Sequence, residues 1–371
     1  MLKPLGLLNL DRIMKPENKN KLKVIMAMSG GIDSSVAAAL LKKQDFEVVG
    51  VFMKFWKEPD DKGGWNRCCS LDSERRARQV AKVLKIPFYV FNFEKEFKRR
   101  IVDYFLAGYK RGLTPNPCVV CNKEIKFGLL LERAMALNAD FIATGHYVRL
   151  SSSGDHAYKL LKGNDKEKDQ SYFLWQLNQK KLKKIIFPVG EHTKPEVRKL
   201  ANKFKLPFKN IPESMEICFI PKTTEEFLGK YLKSKPGQIM DGKGKLLGRH
   251  PGLQFFTIGQ RKGIQLSGGP FWVTGKDLRG NRLIVSRNEK DLLEKESIVE
   301  EVNWISGKEP KLPLKMKVKI RYRHESVPAT VFKIRNARYK IRFGSPQRAV
   351  TPGQSAVFYQ GRELLGGGII N

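Results

Sequence analysis

The sequence predicts an α/β chain that opens with a doubly wound parallel sheet and continues into small antiparallel barrels or sandwiches. Three observations carry this. Short apolar runs alternate with helical patterns through the first half, a glycine-rich loop closes the first of those runs, and after Pro236 Gly and Pro punctuate short runs of alternating polarity.

KVIMAM, Lys23 to Met28, reads as a buried first strand, and AAALLKK, Ala37 to Lys43, as the helix after it. EVVGVFM is a second strand, the amphipathic Ser70 to Lys85 a helix, PFYVFNF a third strand, Glu96 to Arg111 another helix, and FIAT at Phe141 to Thr144 a further buried strand. Strands spaced by helices pair in parallel, and such sheets bind ligands beyond the carboxyl ends of their strands, where the glycine-rich loop falls. From Ser171 to Leu232 the pattern is helical and strongly basic. RLIVS, MKVKIRYR, ATVFKI, YKIRF and AVFYQ then alternate with period two. Boundaries near Ser171, Pro236 and Lys308 to Pro313 divide the chain into an extension (1–21), an α/β unit (22–170), a basic helical segment (171–235), a β-rich central unit (236–308) and a barrel (309–371).

At 371 residues and 41% hydrophobic content, the chain can bury more than one core. No apolar run approaches the roughly 18 residues of a membrane span, and Asp11 and Glu17 interrupt an N-terminus that a transit peptide would keep free of acids. The expectation is a soluble, cytoplasmic protein with no membrane partner. Seventy Lys plus Arg against 37 Asp plus Glu give a formal charge of +33, which asks for a polyanion unless it only decorates solvated faces. Five cysteines are too few for a disulfide scaffold and leave one odd, which favours a reducing compartment.

The segment Met26 to Ser35, MAMSGGIDSS, joins strand to helix through two glycines, an acid and three hydroxyls. Gly30 and Gly31 permit the tight turn that aims N–H groups at a phosphate. Ser29, Ser34 and Ser35 add hydroxyls, and Asp33 is placed to meet a phosphate-bound Mg²⁺. A serine N-cap would need only one of these residues, and the lysine of a Walker loop is missing. SGGIDSS resembles the pyrophosphatase loop of enzymes that split ATP into AMP and pyrophosphate, a class spanning amide-forming synthetases and RNA thiolases.

In LTPNPCVVCNKEIKFG two prolines hold the chain extended ahead of Cys118 and Cys121, and Cys218 follows in SMEICFI. A structural zinc site would need a fourth ligand that no second C-x-x-C or histidine pair supplies, and a buried core cysteine suits Cys218 better than the proline-framed pair. Catalytic or cluster thiols lead. Cys68 and Cys69 in RCCS point apart and suit a structural or pocket-lining role.

TPNPCVVCNKEIKF, TGHY (Thr144 to Tyr147), KDQSYFLW (Lys168 to Trp175), SMEICFI and TPGQ (Thr351 to Gln354) together resemble the tRNA-specific 2-thiouridylase family, over roughly residues 22 to 371. The resemblance implies an adenine nucleotide hydrolase-like α/β domain, a small central domain and a C-terminal β-barrel, with tRNA across all three. It implies that Ala27, Met28, Ser29, Gly30, Gly31, Ile32, Asp33 and Ser34 hold ATP, with Met53 and Gly145 near the adenosine. Asn116, Pro117 and Cys118 would meet the target uridine, Cys121 would be the nucleophile and Cys218 the persulfide carrier. Lys168, Asp169, Gln170, Arg321 and Tyr322 fall at tRNA contacts, and His146 and Gln354 at additional ones. Many members carry an acid where this chain has Cys118, so a proton-moving role there is in doubt.

The implied reaction adenylates the C2 oxygen of an anticodon wobble uridine, then delivers sulfur from a Cys218 persulfide while Cys121 resolves the remaining bond as a disulfide. A [4Fe-4S] cluster on Cys118, Cys121 and Cys218, holding sulfide on its fourth iron, is the alternative. ATP, Mg²⁺, tRNA and a sulfur-donor protein are the implied cofactors and partners. In KMKVKIRYR, Lys315, Lys317, Lys319, Arg321 and Arg323 alternate with apolar residues, so period two puts five cations on one strand face. Lys180, Lys181, Lys183, Lys184, Lys194, Arg198, Lys199, Lys203, Lys205 and Lys209 form a second basic stretch, and both read as RNA-facing. An amide-forming synthetase would have no use for these surfaces or the thiols, and a non-catalytic RNA-binding module would leave SGGIDSS idle.

Overall fold

A computed structural model of the protein describes residues 21–58, 70–152, 157–207 and 217–371. All of the extension but Lys21, together with Cys68, Cys69, Lys209 and the first residues of SMEICFI, lies outside them.

Strands β1 (Lys23–Ala27), β2 (Glu47–Lys54), β3 (Phe88–Asn92) and β4 (Phe141–Ala143) are the four read from the sequence. They pair in parallel in the order β3-β2-β1-β4, as the alternation with helices requires. Helices Ile32–Lys43 and Leu71–Leu84 follow β1 and β2, the second capped by Ser70, whose hydroxyl accepts from Ser73 N–H. A hairpin, β5 (Val148–Ser152) with β6 (Tyr158–Lys162), follows β4, and β7 (Ile185–Ile186) then adds to β4 as the fifth parallel strand.

Across Ser171 the chain stays with the parallel sheet, since β7 pairs with β4. Tyr172, Leu174, Trp175, Leu177, Leu182 and Val197 are buried in the same core as β1 and β2. The basic residues that made this stretch look like a separate surface are interleaved with a buried apolar face.

A central four-stranded sheet contains β8 (Gly237–Asp241), β9 (Leu246–His250), β10 (Trp272–Asp277) and β11 (Arg282–Ser286), around its own core of Ile239, Val273, Leu283 and Val285. The barrel is β12 (Leu293–Trp304), β13 (Leu314–Lys319), β14 (Val327–Lys333), β15 (Tyr339–Arg348), β16 (Ser355–Gln360) and β17 (Glu363–Ile370), closed by pairing of β12 with both β15 and β17. Its first strand begins at Leu293, ahead of the Lys308 to Pro313 boundary, because the long β12 is the closing strand and the Gly-Pro stretch after it is a connection inside the barrel.

The barrel is joined to the parallel-sheet unit by more than the chain. Leu160 and Leu161 of β6 pair with Leu364 and Glu363 of β17. Trp175 Nε1 donates to Ser355 Oγ at 3.0 Å and Asn303 Nδ2 to the Trp175 carbonyl at 2.6 Å.

Candidate active site

The loop after β1 turns through Gly30, whose φ is +74°, and a Cβ there would lie 2.1 Å from the Ser73 carbonyl oxygen. Glycine is required by conformation and by space. The helix Ile32–Lys43 has no side-chain cap on its first turn, so its N–H groups and its dipole face the cavity at the end of the sheet. The hydroxyls do not all point there. Ser34 and Ser35 donate to the Gly31 carbonyl at 3.0 and 2.9 Å, and Ser34 Oγ accepts from Ser29 N–H, so these two side chains fasten the loop to itself.

Asp33 meets two partners that the motif did not announce. Lys194 Nζ donates to both carboxylate oxygens, at 2.7 and 2.8 Å, and the Tyr147 hydroxyl donates to Oδ1 at 2.7 Å. Lys194 is buried, so this ammonium belongs to the nucleotide loop and not to an RNA-facing surface as its place in a basic run suggested. Gly145 of TGHY closes the other side, since a Cβ there would fall 2.7 Å from Ser34 N.

LTPNPCVVC enters a helical run that starts at Asn116, whose side chain accepts from Val119 N–H at 3.3 Å, with Pro117 in the first turn. Cys121 is buried and Cys118 half-buried on that run, and Cys218 is half-buried in the connector before helix Thr224–Tyr231. Phe219, beside Cys218, packs edge-on against Phe97, Phe105 and Phe227 with centroids 5.4 to 5.9 Å apart.

One cavity of about 2240 Å³ gathers most of the expected residues. Ala27, Ser29, Gly31, Ile32, Asp33, Ser34, Met53, Pro117, Cys118, Cys121, Gly145, His146, Lys168, Asp169, Gln170, Cys218 and Tyr322 line it. Met28, Gly30, Asn116, Arg321 and Gln354 do not. Met28 is core beneath the loop, while Gly30 and Asn116 shape backbone.

Arg321 departs from the alternation that placed it on a cationic face. Regular β13 stops at Lys319, and the guanidinium turns inward, with Nη2 donating to Thr351 Oγ1 at 2.7 Å and the Ala349 carbonyl at 3.0 Å. Gln354 Nε2 donates to the Thr114 carbonyl at 2.7 Å, so TPGQ holds the segment that leads to Cys118. Asp169 is buried, accepting from Gly163 N–H, Ser171 N–H and Ser171 Oγ–H at 2.9 to 3.1 Å. Tyr322 keeps a cavity-facing place beside Phe173, centroids 4.4 Å apart, with Lys319 Nζ 5.5 Å from its ring.

His146 lies buried between Phe127 and Phe187, with Nδ1 2.7 Å from Thr144 Oγ1. Burial, and then the nearby Lys126 cation, hold its imidazolium form well below the usual histidine range, so it is a neutral ring at neutral pH. Burial also lowers Lys162 and Lys319 from the ordinary lysine value, although Asp169 opposes it.

Among the described residues no group of three or more His, Cys, Asp or Glu stands close enough to hold a metal ion. A magnesium ion carried by ATP asks less, since one carboxylate and the substrate's own phosphates usually suffice, and Asp33 offers that carboxylate.

Three family models match the chain: a tRNA methyl transferase HUP domain over residues 22–222, a tRNA methyl transferase PRC-barrel domain over 225–287 and an aminomethyltransferase beta-barrel domain over 294–370. The chain is 44% identical to tRNA-specific 2-thiouridylase MnmA 2 of Geobacillus kaustophilus, with 95% of each chain covered. It is 44% identical to tRNA-specific 2-thiouridylase MnmA of Geobacter metallireducens, over 95% of this chain and 98% of that one. The MnmA of Roseiflexus castenholzii is 43% identical, over 94% and 99%. Among solved structures, the NMN synthetase of Francisella tularensis aligns at a TM-score of 0.33 with 17% identity, covering 57% of this chain and 73% of that one.

Proposed function

The chain belongs to the tRNA-specific 2-thiouridylase family, and we propose that it uses ATP to replace the C2 oxygen of a tRNA uridine, the anticodon wobble base, with sulfur. The observation that carries this is the single cavity onto which the nucleotide loop, all three described thiols and Lys168–Gln170 open.

ATP sits with its phosphates on the N–H groups of the loop and of the first turn of helix Ile32–Lys43. Asp33 would hold the accompanying Mg²⁺, which when bound neutralises phosphate charge. The uridine enters beside Asn116–Cys118, and its C2 oxygen attacks the α-phosphorus as pyrophosphate departs. The base then carries AMP as a leaving group in place of an oxide. His146, neutral and held at Nδ1 by Thr144, lines this space without adding a charge.

Cys218, loaded as a persulfide by a sulfur-donor protein, attacks C2 through its outer sulfur and AMP leaves. The Cys121 thiolate attacks the Cys218 sulfur, the S–S bond to the base breaks, and its electron pair stays on the sulfur that becomes the thiocarbonyl. The two cysteines end as a disulfide, which an external thiol reduces. Cys118 lines the base pocket. The cluster alternative needs Cys118, Cys121 and Cys218 all to meet on one cluster, the relay needs only Cys121 and Cys218 to meet, and the relay is preferred.

Cationic residues on the cavity rim and on β13 face the tRNA backbone, where Lys315 and Lys317 are exposed. The test is to incubate protein with ATP, Mg²⁺, persulfide and unthiolated tRNA and to measure 2-thiouridine and AMP. Wild type forms both. Asp33→Asn, which keeps an acceptor for Lys194, forms neither, yet binds tRNA within about twofold of wild type, since phosphate contacts with the RNA are made elsewhere. AMP formation at the wild-type rate in that variant overturns the assignment.

A further inference from the structure

Asp165 is absent from every motif above, yet it joins the two halves of the site. Its Oδ1 accepts from the N–H groups of Glu167, at 3.0 Å, and Lys168, at 3.1 Å. These bonds shape the turn that presents Lys168, Asp169 and Gln170. Its Oδ2 accepts from Lys194 N–H at 2.8 Å. That N–H opens helix Lys194–Lys203, and the side chain of the same Lys194 holds both oxygens of Asp33.

A second connection runs alongside. Gln170 Oε1 accepts from Tyr147 N–H at 3.1 Å, and the Tyr147 hydroxyl donates to Asp33 Oδ1. The Lys168–Gln170 turn is thus tied to Asp33 twice, through backbone N–H groups whose own side chains reach the carboxylate. Both Asp33 oxygens are engaged by these two side chains, so a Mg²⁺ ion on Asp33 would have to displace or rearrange them.

We propose that Asp165 is a positioning residue through which occupation of the Lys168–Gln170 turn by RNA phosphate sets the arrangement of Lys194 around Asp33, so that tRNA and nucleotide tighten each other's binding. This rests on the functional reading above. The physical basis is that a carboxylate at a helix N-terminus is held by the first-turn N–H groups and the helix dipole. Displacing the turn displaces the helix start, and with it the ammonium. Coupling of this kind is reciprocal and commonly amounts to about 5- to 150-fold.

The test measures the Kd of α,β-methylene-ATP with Mg²⁺ on the full chain, with and without saturating unthiolated tRNA. Wild type is expected to bind nucleotide about fivefold or more tightly when tRNA is present. Asp165→Ala brings the ratio within about twofold of one, with a cooperative melt retained, and Tyr147→Phe lowers it partway. If Asp165→Ala melts early, Asp165→Asn serves, because it keeps an oxygen for the turn and loses the charge at the helix start. A ratio of one in wild type, or an unchanged ratio in the Asp165 variants, overturns the inference. Thiolation by wild type is assayed on the same tRNA: its absence would sink the functional reading, whereas its presence without coupling would sink this inference alone.

Discussion

The two thiols assigned to sulfur transfer are mounted in opposite ways. Cys121 lies buried on an unbroken helical run, Pro117–Cys121, Asn122–Leu129 and Leu130–Ala136, anchored by the fully buried Ile125, Phe127, Leu130 and Ala134. The segment leading into it is fixed as well: Thr114 N–H donates to the Pro352 carbonyl at 2.9 Å, and Lys276 Nζ to the Gly112 carbonyl at 3.0 Å. Cys218 sits in a turn, and the residue after it, Phe219, plugs its ring into an aromatic cluster. Backbone geometry sets one thiol and a side-chain plug sets the other. A resolving nucleophile needs a fixed place, while a carrier must meet both a donor and a base.

The strongest way to break that contrast is to remove the sulfurs. Cys121→Ser and Cys218→Ser should each lower thiolation by on the order of 10³-fold or more, as for groups that act as one unit, whereas Cys118→Ser should slow it by no more than about tenfold. Thiouridine formed per minute decides it, and equal losses at all three positions would return the cluster scheme to favour.

Removing the plug is the next test. Phe219→Ala should cost about 3–5 kcal/mol in denaturant melts, the range for a buried ring. It should also cut thiolation by on the order of tenfold to a hundredfold while AMP formation persists. Equal loss of both products would show that Phe219 supports the whole site and not the carrier alone.

The smallest effect probes the fixed mount. Burial pushes the Lys276 ammonium from an ordinary 10.5 down to about 8. A lysine depressed in the folded state costs stability wherever it is charged in both states, which is below pH about 8, and the cost fades as pH rises towards 10.5, where the unfolded chain also loses its proton. Lys276→Met should therefore stabilise the protein at pH 7 by about 1–2 kcal/mol, net of the lost bond to Gly112, and by less at pH 10. Melting temperatures at the two pH values read the difference, and a uniform gain would refute the charge argument.

What the sequence disclosed follows from the range of each interaction. The β1 loop, its glycines and the first four parallel strands were legible because their signals are local: period, punctuation and a turn that only glycine fits. That most of the expected residues line one cavity was legible because short motifs carry them. Lys194 was read as one cation among ten, since composition does not record which side chain turns inward. Arg321 was misplaced because period two holds only while the strand lasts, and β13 ends at Lys319. Asp169 was read as a tRNA contact, and a carboxylate that accepts three short-range bonds cannot be told from an exposed one by type alone. Asp165 left one faint trace, a side chain placed to accept from N–H groups two and three residues on, but its partner at Lys194 lies 29 residues away.

The pairing of β6 with β17 makes the barrel part of the same woven fabric as the nucleotide end. A truncated chain stopping before β12 would carry β6 with a raw selvedge of unpaired N–H and C=O groups, an invitation to strand exchange and aggregation. The barrel therefore cannot be trimmed off or swapped as a cassette without a replacement strand. The distance from the barrel to the loop after β1 is gauged by the weave itself.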